Sequence, residues 1–191
     1  MRVLIACEYS GTVRDAFTKL GHDAMSCDLL PTDSPGKHYQ GDVFDIIDDG
    51  WDLMIAHPPC TDLAVSGAAW FKEKIADGRQ QKALDFVRAL MYAPISRIAI
   101  ENPISVISSK IRKPEQIIQP WMFGHLETKA TCLWLKGLEK LIPTTDLKAE
   151  TMALPERERM RLHYLPPSPD RWKLRSKTFQ GIANAMANQW G

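Results

Sequence analysis

Apolar positions along this chain fall into short β-branched runs, separated by amphipathic stretches and by turns rich in Gly and Pro. Arg2 to Cys7 fits a buried parallel strand. Glu8-Tyr9-Ser10-Gly11 breaks that run. Thr12 to Leu20 then carries Val13, Phe17 and Leu20 at helical spacing, and Gly21 closes the helix. Asp23 to Asp28 predicts a second strand. Leu29 to Gly41, with two prolines and two glycines, predicts a loop. Tyr39 to Phe44 predicts a short edge strand, and Asp45 to Gly50 a turn or one helical turn. Trp51 to Ala56 is an apolar strand leading into His57-Pro58-Pro59-Cys60. Ala68 to Tyr92 is the longest helical pattern, although Lys72 to Gly78 also reads as loop. Ile95 to Ile100 and Thr131 to Leu135 predict further strands, and Ser105 to Lys110 the start of a helix. Pro155 to His163 reads as a charged surface helix. Thr178 to Trp190 reads as an amphipathic terminal helix, with Phe179, Ile182, Ala183 and Met186 on one side. Strands alternating with helices predict an α/β fold with a doubly wound, mostly parallel sheet. At 191 residues, one domain spanning 1–191 is expected.

The strand ends carry the chemistry. Two prolines cannot donate to a sheet ladder, so the strand before Cys60 must stop and the chain must turn outward. A thiol there is placed for work on a ligand outside the sheet. Arg97-Ile98-Ala99-Ile100-Glu101-Asn102-Pro103 repeats the design, with a carboxylate and an amide expected at the strand exit. A nucleophilic thiolate needs a nearby cation or helix N-terminus, and Arg97, Lys129 and Arg175 are the candidates. Ala6 to Gly11 would sit at a helix N-terminus, where free N–H groups bind ligands, but a single glycine makes no dinucleotide fingerprint. Asp28 lies 17 positions after Gly11, near the spacing of a ribose-binding acid. On spacing alone it is equally a solvated loop carboxylate, and so is Asp42.

Composition narrows the classes. The chain is 45% hydrophobic and 25% charged, as ordinary globular domains are. A net charge of +1 gives no global field for nucleic acid, so any such contact needs a local patch. Arg171-Trp172-Lys173-Leu174-Arg175-Ser176-Lys177 interleaves cations with an aromatic and suits phosphate contacts. It is equally a solvated face. No apolar stretch is long enough to span a bilayer, so no membrane partner is expected. Cys7, Cys27, Cys60 and Cys132 are far apart in sequence and the five histidines do not cluster, which argues against a metal site and for a reducing cytosol.

Together these segments resemble the cytosine-5 DNA methyltransferase family. Pro59-Cys60 resembles its nucleophile motif and Glu101-Asn102-Pro103 its Glu-Asn-Val motif. Ala6 to Gly11 is similar to a reduced first cofactor loop, with Asp28 and Asp42 at the two acidic cofactor positions. Gly181-Ile182-Ala183-Asn184-Ala185-Met186 is similar to the closing segment beside the cofactor. The likeness is strongest to small phage and prophage proteins, which implies a cytoplasmic location, in the host if phage-encoded. It implies a Rossmann-like fold, S-adenosylmethionine as cofactor and DNA as partner. It implies Cys60, Glu101 and Asn102 as catalytic residues. Ala6, Glu8, Tyr9, Ser10, Gly11, Asp28, Asp42, Pro58 and Asn184 would bind the cofactor. Lys129, Arg171, Lys173, Arg175 and Lys177 would hold the nucleic acid. Cys60 would add to the 6-position of cytosine, Glu101 would assist at the ring nitrogen, and the methyl group would go to the 5-position.

The chain also departs from that pattern. Thr61 stands where the family has Gln, and only a short insert, 137–175, replaces the target-recognition domain. Two rivals follow. An amino-methyltransferase uses a polar residue before Pro-Pro and an aromatic, which His57-Pro58-Pro59 partly fits. A catalytically silent protein would keep the fold and bind DNA or a partner.

Overall fold

The computed structural model describes residues 1–191. Seven strands form one sheet: β1 (Arg2–Ala6), β2 (Asp23–Asp28), β3 (His38–Gln40), β4 (Leu53–Ala56), β5 (Ile98–Pro103), β6 (Gln116–Ile118) and β7 (Thr131–Lys136). Their order is β3-β2-β1-β4-β5-β7-β6. The first five pair in parallel, and β7 runs antiparallel to both β5 and β6. The helices are α1 (Thr12–Lys19), α2 (Phe71–Ala76), α3 (Arg79–Met91), α4 (Ile107–Lys110), α5 (Lys148–Ala153), α6 (Glu156–Arg159), α7 (Arg171–Ser176) and α8 (Gln180–Trp190).

Two apolar layers follow from strand alternation. Val3, Ile5, Leu53, Ile55 and Ala99 face α1 and α8, against Val13, Phe17, Ile182 and Met186. Leu4, Ala6, Met54, Ala56, Ile98 and Ile100 face the other way, against Leu84, Val87 and Leu90 of α3. β1, β4 and β5 are apolar on both faces because helices cover both. This is the expected doubly wound, mostly parallel α/β sheet, with β7 its antiparallel member among the parallel strands.

Several elements differ from the sequence expectation. Only His38–Gln40 pair as an edge strand; the Asp42 side chain accepts from Phe44 N and opens a short 3-10 turn over Val43–Asp45. The long helix is divided. Asp77–Gly78 separates α2 from α3, with Gly78 at φ 80°, and Val65–Trp70 is a 3-10 segment. Only Glu156–Arg159 of the expected charged helix is helical. The basic run at Arg171–Ser176 forms α7, and β6 had no strand pattern of its own. Glu101, Asn102 and Pro103 lie inside β5 rather than beyond it, because β7 continues pairing with them after β4 has ended.

Candidate active site

The C-terminal ends of β1, β2, β4 and β5 share one edge of the sheet. β1 and β4 are neighbours there while their chains leave to opposite sides, the crevice where open α/β sheets take ligands. The turn after β1 is unusual. Cys7, at φ 58°, is the only non-glycine residue with positive φ. The Glu8 carboxylate accepts from Val13 N at 2.7 Å, Arg14 N at 3.2 Å and the Ser10 hydroxyl at 3.2 Å. A buried acid therefore caps α1 at the position where phosphate-binding loops leave the N–H groups open. Gly11 has φ 74°, and a Cβ there would collide with the Arg14 guanidinium. Arg14 is itself buried, held by the Ser26 and Thr32 hydroxyls and the Ser34 and Pro35 carbonyls.

β4 ends at Ala56, paired with Ala6 on one side and Ile100 on the other. Continuing that register by one residue sets His57 level with Glu101 and on the same face. Their side chains meet: His57 Nδ1 lies 2.7 Å from Glu101 Oε2, at 10% and 13% side-chain exposure. Burial opposes the charged form of His57, but the Glu101 hydrogen bond and charge, with Glu8 behind them, raise its pKa above the free value. Burial likewise opposes ionised Glu101, yet His57 and Lys129 hold its pKa below the ordinary value. The pair is a buried histidine–carboxylate contact in which each partner favours the charged form of the other. His57 Nε2 is buried and has no partner.

Cys60 follows on an exposed turn whose carbonyl accepts from Leu63 N and Ala64 N. Lys74, from α2, binds the Thr61 carbonyl and pairs with Asp62 at 3.3 Å, anchoring the turn from below. Asn102, 1% exposed, donates through Nδ2 to the Pro58 carbonyl at 2.8 Å and ties β5 to the same turn. The Cys60 thiol is reachable yet closely surrounded. Desolvation raises its pKa, the Glu101 charge adds to that, and Lys129 and Arg175 act against them. Arg97 is at the opposite edge, bonded to the Trp190 carbonyl, and takes no part.

A strap crosses the crevice. The Tyr9 hydroxyl donates to the Lys173 carbonyl at 3.0 Å and meets Ser176 Oγ at 3.1 Å. Lys129 Nζ donates to the Arg175 carbonyl at 2.9 Å, and Lys177 pairs with Asp33 at 2.9 Å. Beneath the strap is a cavity of about 60 Å³, lined by Cys7, Glu8, Tyr9, Ser10 and His57 and roofed by Ser176 to Thr178. That is room for a few water molecules.

The sequence-predicted residues are therefore distributed as follows. Glu8, Tyr9 and Ser10 line the cavity, although the Glu8 carboxylate is committed to α1. Ala6 and Pro58 are buried at the strand ends. Half-buried Asp28 ends β2 and accepts from Leu30 N, while exposed Asp42 caps its own turn. Asn184 is exposed on α8, bonded to Gln180, and does not line the cavity. Lys129 and Arg175 reach Cys60 electrostatically. Arg171 donates to the His163 carbonyl, and Lys173 lies over the Trp172 ring. Sequence reasoning quoted His57 in a motif but assigned it no catalytic part, and it missed the roof at Ser176–Thr178. The one signal for His57 was its place one residue past an apolar strand; its register with Glu101 comes from the pairing of β4 with β5. No group of three or more His, Cys, Asp and Glu converges on a metal-sized space.

No protein-family model matches the chain, and no curated protein matches it. Among solved structures it is similar to a candidate DNA modification methyltransferase encoded within a prophage in E. coli, at 16% identity and TM-score 0.47. That alignment covers 82% of this chain and 56% of the other, so this chain spans little more than half of that protein's length.

Proposed function

We propose that this chain transfers a methyl group from S-adenosylmethionine to the 5-position of cytosine in DNA, through a covalent adduct on Cys60. One observation carries the reading. Cys60 follows the end of β4 and Glu101 sits near the end of neighbouring β5, with Lys129 and Arg175 within electrostatic reach of the thiol. Residues 1–191 act as one catalytic domain, and 137–175 stand in place of a recognition domain.

The residues present fit the cofactor in kind. The turn from Cys7 to Gly11 opens on the switch-point crevice, and Asp28 offers a carboxylate at the end of the adjacent strand. The cavity beneath the strap is too small for a nucleoside, so Lys173 to Thr178 must lift to admit one. When bound, the cofactor supplies an electrophilic methyl group. The chain's own residues prepare the acceptor. Cys60 is protonated at rest, since desolvation and Glu101 both disfavour the thiolate. Lys129 and Arg175 oppose this and are the cations that favour the thiolate. Asn102 fixes the turn that aims Cys60, and α7 offers Arg171, Lys173 and Arg175 to the backbone of a flipped strand.

Nucleoside mass spectrometry on DNA from cells making the wild type or Cys60→Ala tests this. 5-Methylcytosine in the wild type alone is expected. Its absence from the wild type, or its persistence in the variant, overturns the reading. A second reading is favoured by one observation: the His57 side chain lines the cavity immediately before Pro58-Pro59. Methylation on an exocyclic amino group would decide for that chemistry.

A further inference from the structure

The crevice is shut by a segment that the core does not hold. α7 buries none of its residues, whereas α8, which follows it, buries Ile182, Ala183, Ala185, Met186, Ala187 and Trp190. Phe179 packs against that core and opens α8, so the chain before it hangs from a fixed point. Lys177 and Phe179 both have extended backbone, which puts the hinge between the two helices.

Polar contacts hold α7 down. The Tyr9 hydroxyl donates to the Lys173 carbonyl at 3.0 Å and lies 3.1 Å from Ser176 Oγ. Lys129 Nζ donates to the Arg175 carbonyl at 2.9 Å. Lys177 pairs with Asp33 at 2.9 Å, with both side chains more than a third exposed. Trp172 adds one ring contact, 5.7 Å between centroids, on Tyr9 and stays half-exposed. Single hydrogen bonds and exposed ion pairs are weak. An element with few buried apolar contacts opens at low cost.

The tethers occupy groups that ligands would need. The Tyr9 hydroxyl, at the cofactor turn, is spent on the strap. So is the ammonium of Lys129, the cation near Cys60. The Lys129 backbone is fixed separately, its N–H donating to Gln119 Oε1 at 3.0 Å, so it stays when the strap leaves. The cavity under the closed strap, about 60 Å³, is several-fold smaller than a nucleoside-sized ligand needs. Closed strap and bound cofactor therefore exclude each other.

We propose that Lys173 to Thr178 form an autoinhibitory strap, which keeps the cofactor out of the crevice until the phosphate backbone of DNA draws Lys173, Arg175 and Lys177 away and lifts it. This rests on the methyltransferase reading above and adds regulation to it. Three cations in five residues give a polyanion purchase without any base being read, and phosphate competes with Asp33 for Lys177. One movement frees the Tyr9 hydroxyl and the Lys129 ammonium together. Cofactor and DNA then bind with positive coupling, because whichever arrives first has already opened the strap.

Calorimetry with S-adenosylhomocysteine, the demethylated donor, tests this in wild type and in Asp33→Asn/Ser176→Ala, with and without a mixed-sequence DNA duplex. The double variant removes two tethers and touches no residue assigned to cofactor or DNA. Without DNA it should bind S-adenosylhomocysteine about threefold tighter than wild type, or better. The duplex should tighten wild-type binding by about five- to 150-fold and tighten the variant's by less. By reciprocity, S-adenosylhomocysteine should tighten duplex binding to the wild type by the same factor. Hydrogen exchange on the wild type needs no variant: saturating S-adenosylhomocysteine should speed exchange in peptides covering 171–178 and leave those of α8 unchanged. A variant folded by circular dichroism that binds no tighter overturns the proposal. So does a duplex without effect on the wild type, or strap exchange that the ligand slows or leaves alone. A wild type that binds no S-adenosylhomocysteine with or without duplex refutes the cofactor reading itself, whereas binding indifferent to tethers and duplex refutes the strap alone.

Discussion

Replacing Asn102 by alanine should loosen the Cys60 turn while leaving the sheet intact. Asn102 is 1% exposed, and its Nδ2 donates to the Pro58 carbonyl at 2.8 Å. Losing that bond costs about 1 kcal/mol net, and the orphaned Pro58 carbonyl about 1–3 kcal/mol more. The Asn102 Oδ1 is already buried without a partner, so removing it offsets part of the second amount. The void left by the missing carboxamide adds about 1 kcal/mol. The sum is about 2–4 kcal/mol. At about 2–4 °C per kcal/mol for a domain of this size, the unfolding midpoint should fall by roughly 4–16 °C. Differential scanning calorimetry reads that shift. The alkylation rate of Cys60 by a maleimide reads the turn, and should rise as Pro58 and Cys60 are released. A midpoint within about 1 °C of wild type, with unchanged alkylation, would refute the idea that β5 anchors the turn.

The His57–Glu101 pair makes stability depend on pH in two directions. Glu101, lowered, contributes above its unfolded value of 4.5, and that contribution is lost as pH falls through the folded value. His57, raised, contributes below its unfolded value of 6.5, and that is lost as pH rises through the folded value. Urea unfolding of wild type minus Glu101→Gln should therefore peak between those two values; a flat difference contradicts the pair. Tyr9→Phe removes the hydroxyl that holds Lys173 and Ser176, worth about 1 kcal/mol, so limited trypsin digestion at the strap should speed up about fivefold. An unchanged cleavage rate would mean that other contacts hold the strap. Arg175→Ala should weaken DNA binding across all sequences and reduce the salt slope by about one, read by fluorescence anisotropy against salt. A change confined to one sequence would place Arg175 on a base instead.

The sheet was legible because its strands are apolar and short. β1, β4, β5 and β7 each carry an apolar run that a two-faced core demands. β6 was not, because Gln116–Ile118 is three residues long and takes its place from pairing with β7. The Asp77–Gly78 break hid inside a good helical period, since a glycine in left-handed backbone ends a helix without disturbing the pattern. The strand ends that bear Cys60 and Glu101 could be read from two Pro-terminated runs. Their connection through His57 could not, because it depends on which strands become neighbours and in what register. The commitment of Glu8 to α1 was equally hidden. An acid before a helix is ordinary, and only the backbone shape around Cys7 brings its carboxylate onto Val13 and Arg14. The strap escaped notice for a third reason: a basic run looks the same whether it faces solvent or roofs a crevice.

Intact-protein and peptide mass spectrometry after incubation with S-adenosylmethionine and DNA containing 5-fluorocytosine asks the central question most directly, because fluorine at the 5-position blocks release of the adduct. A stable covalent complex mapped to Cys60 and absent from Cys60→Ala is expected. A wild type that forms no adduct, or one that forms it at Cys7, Cys27 or Cys132, would contradict it.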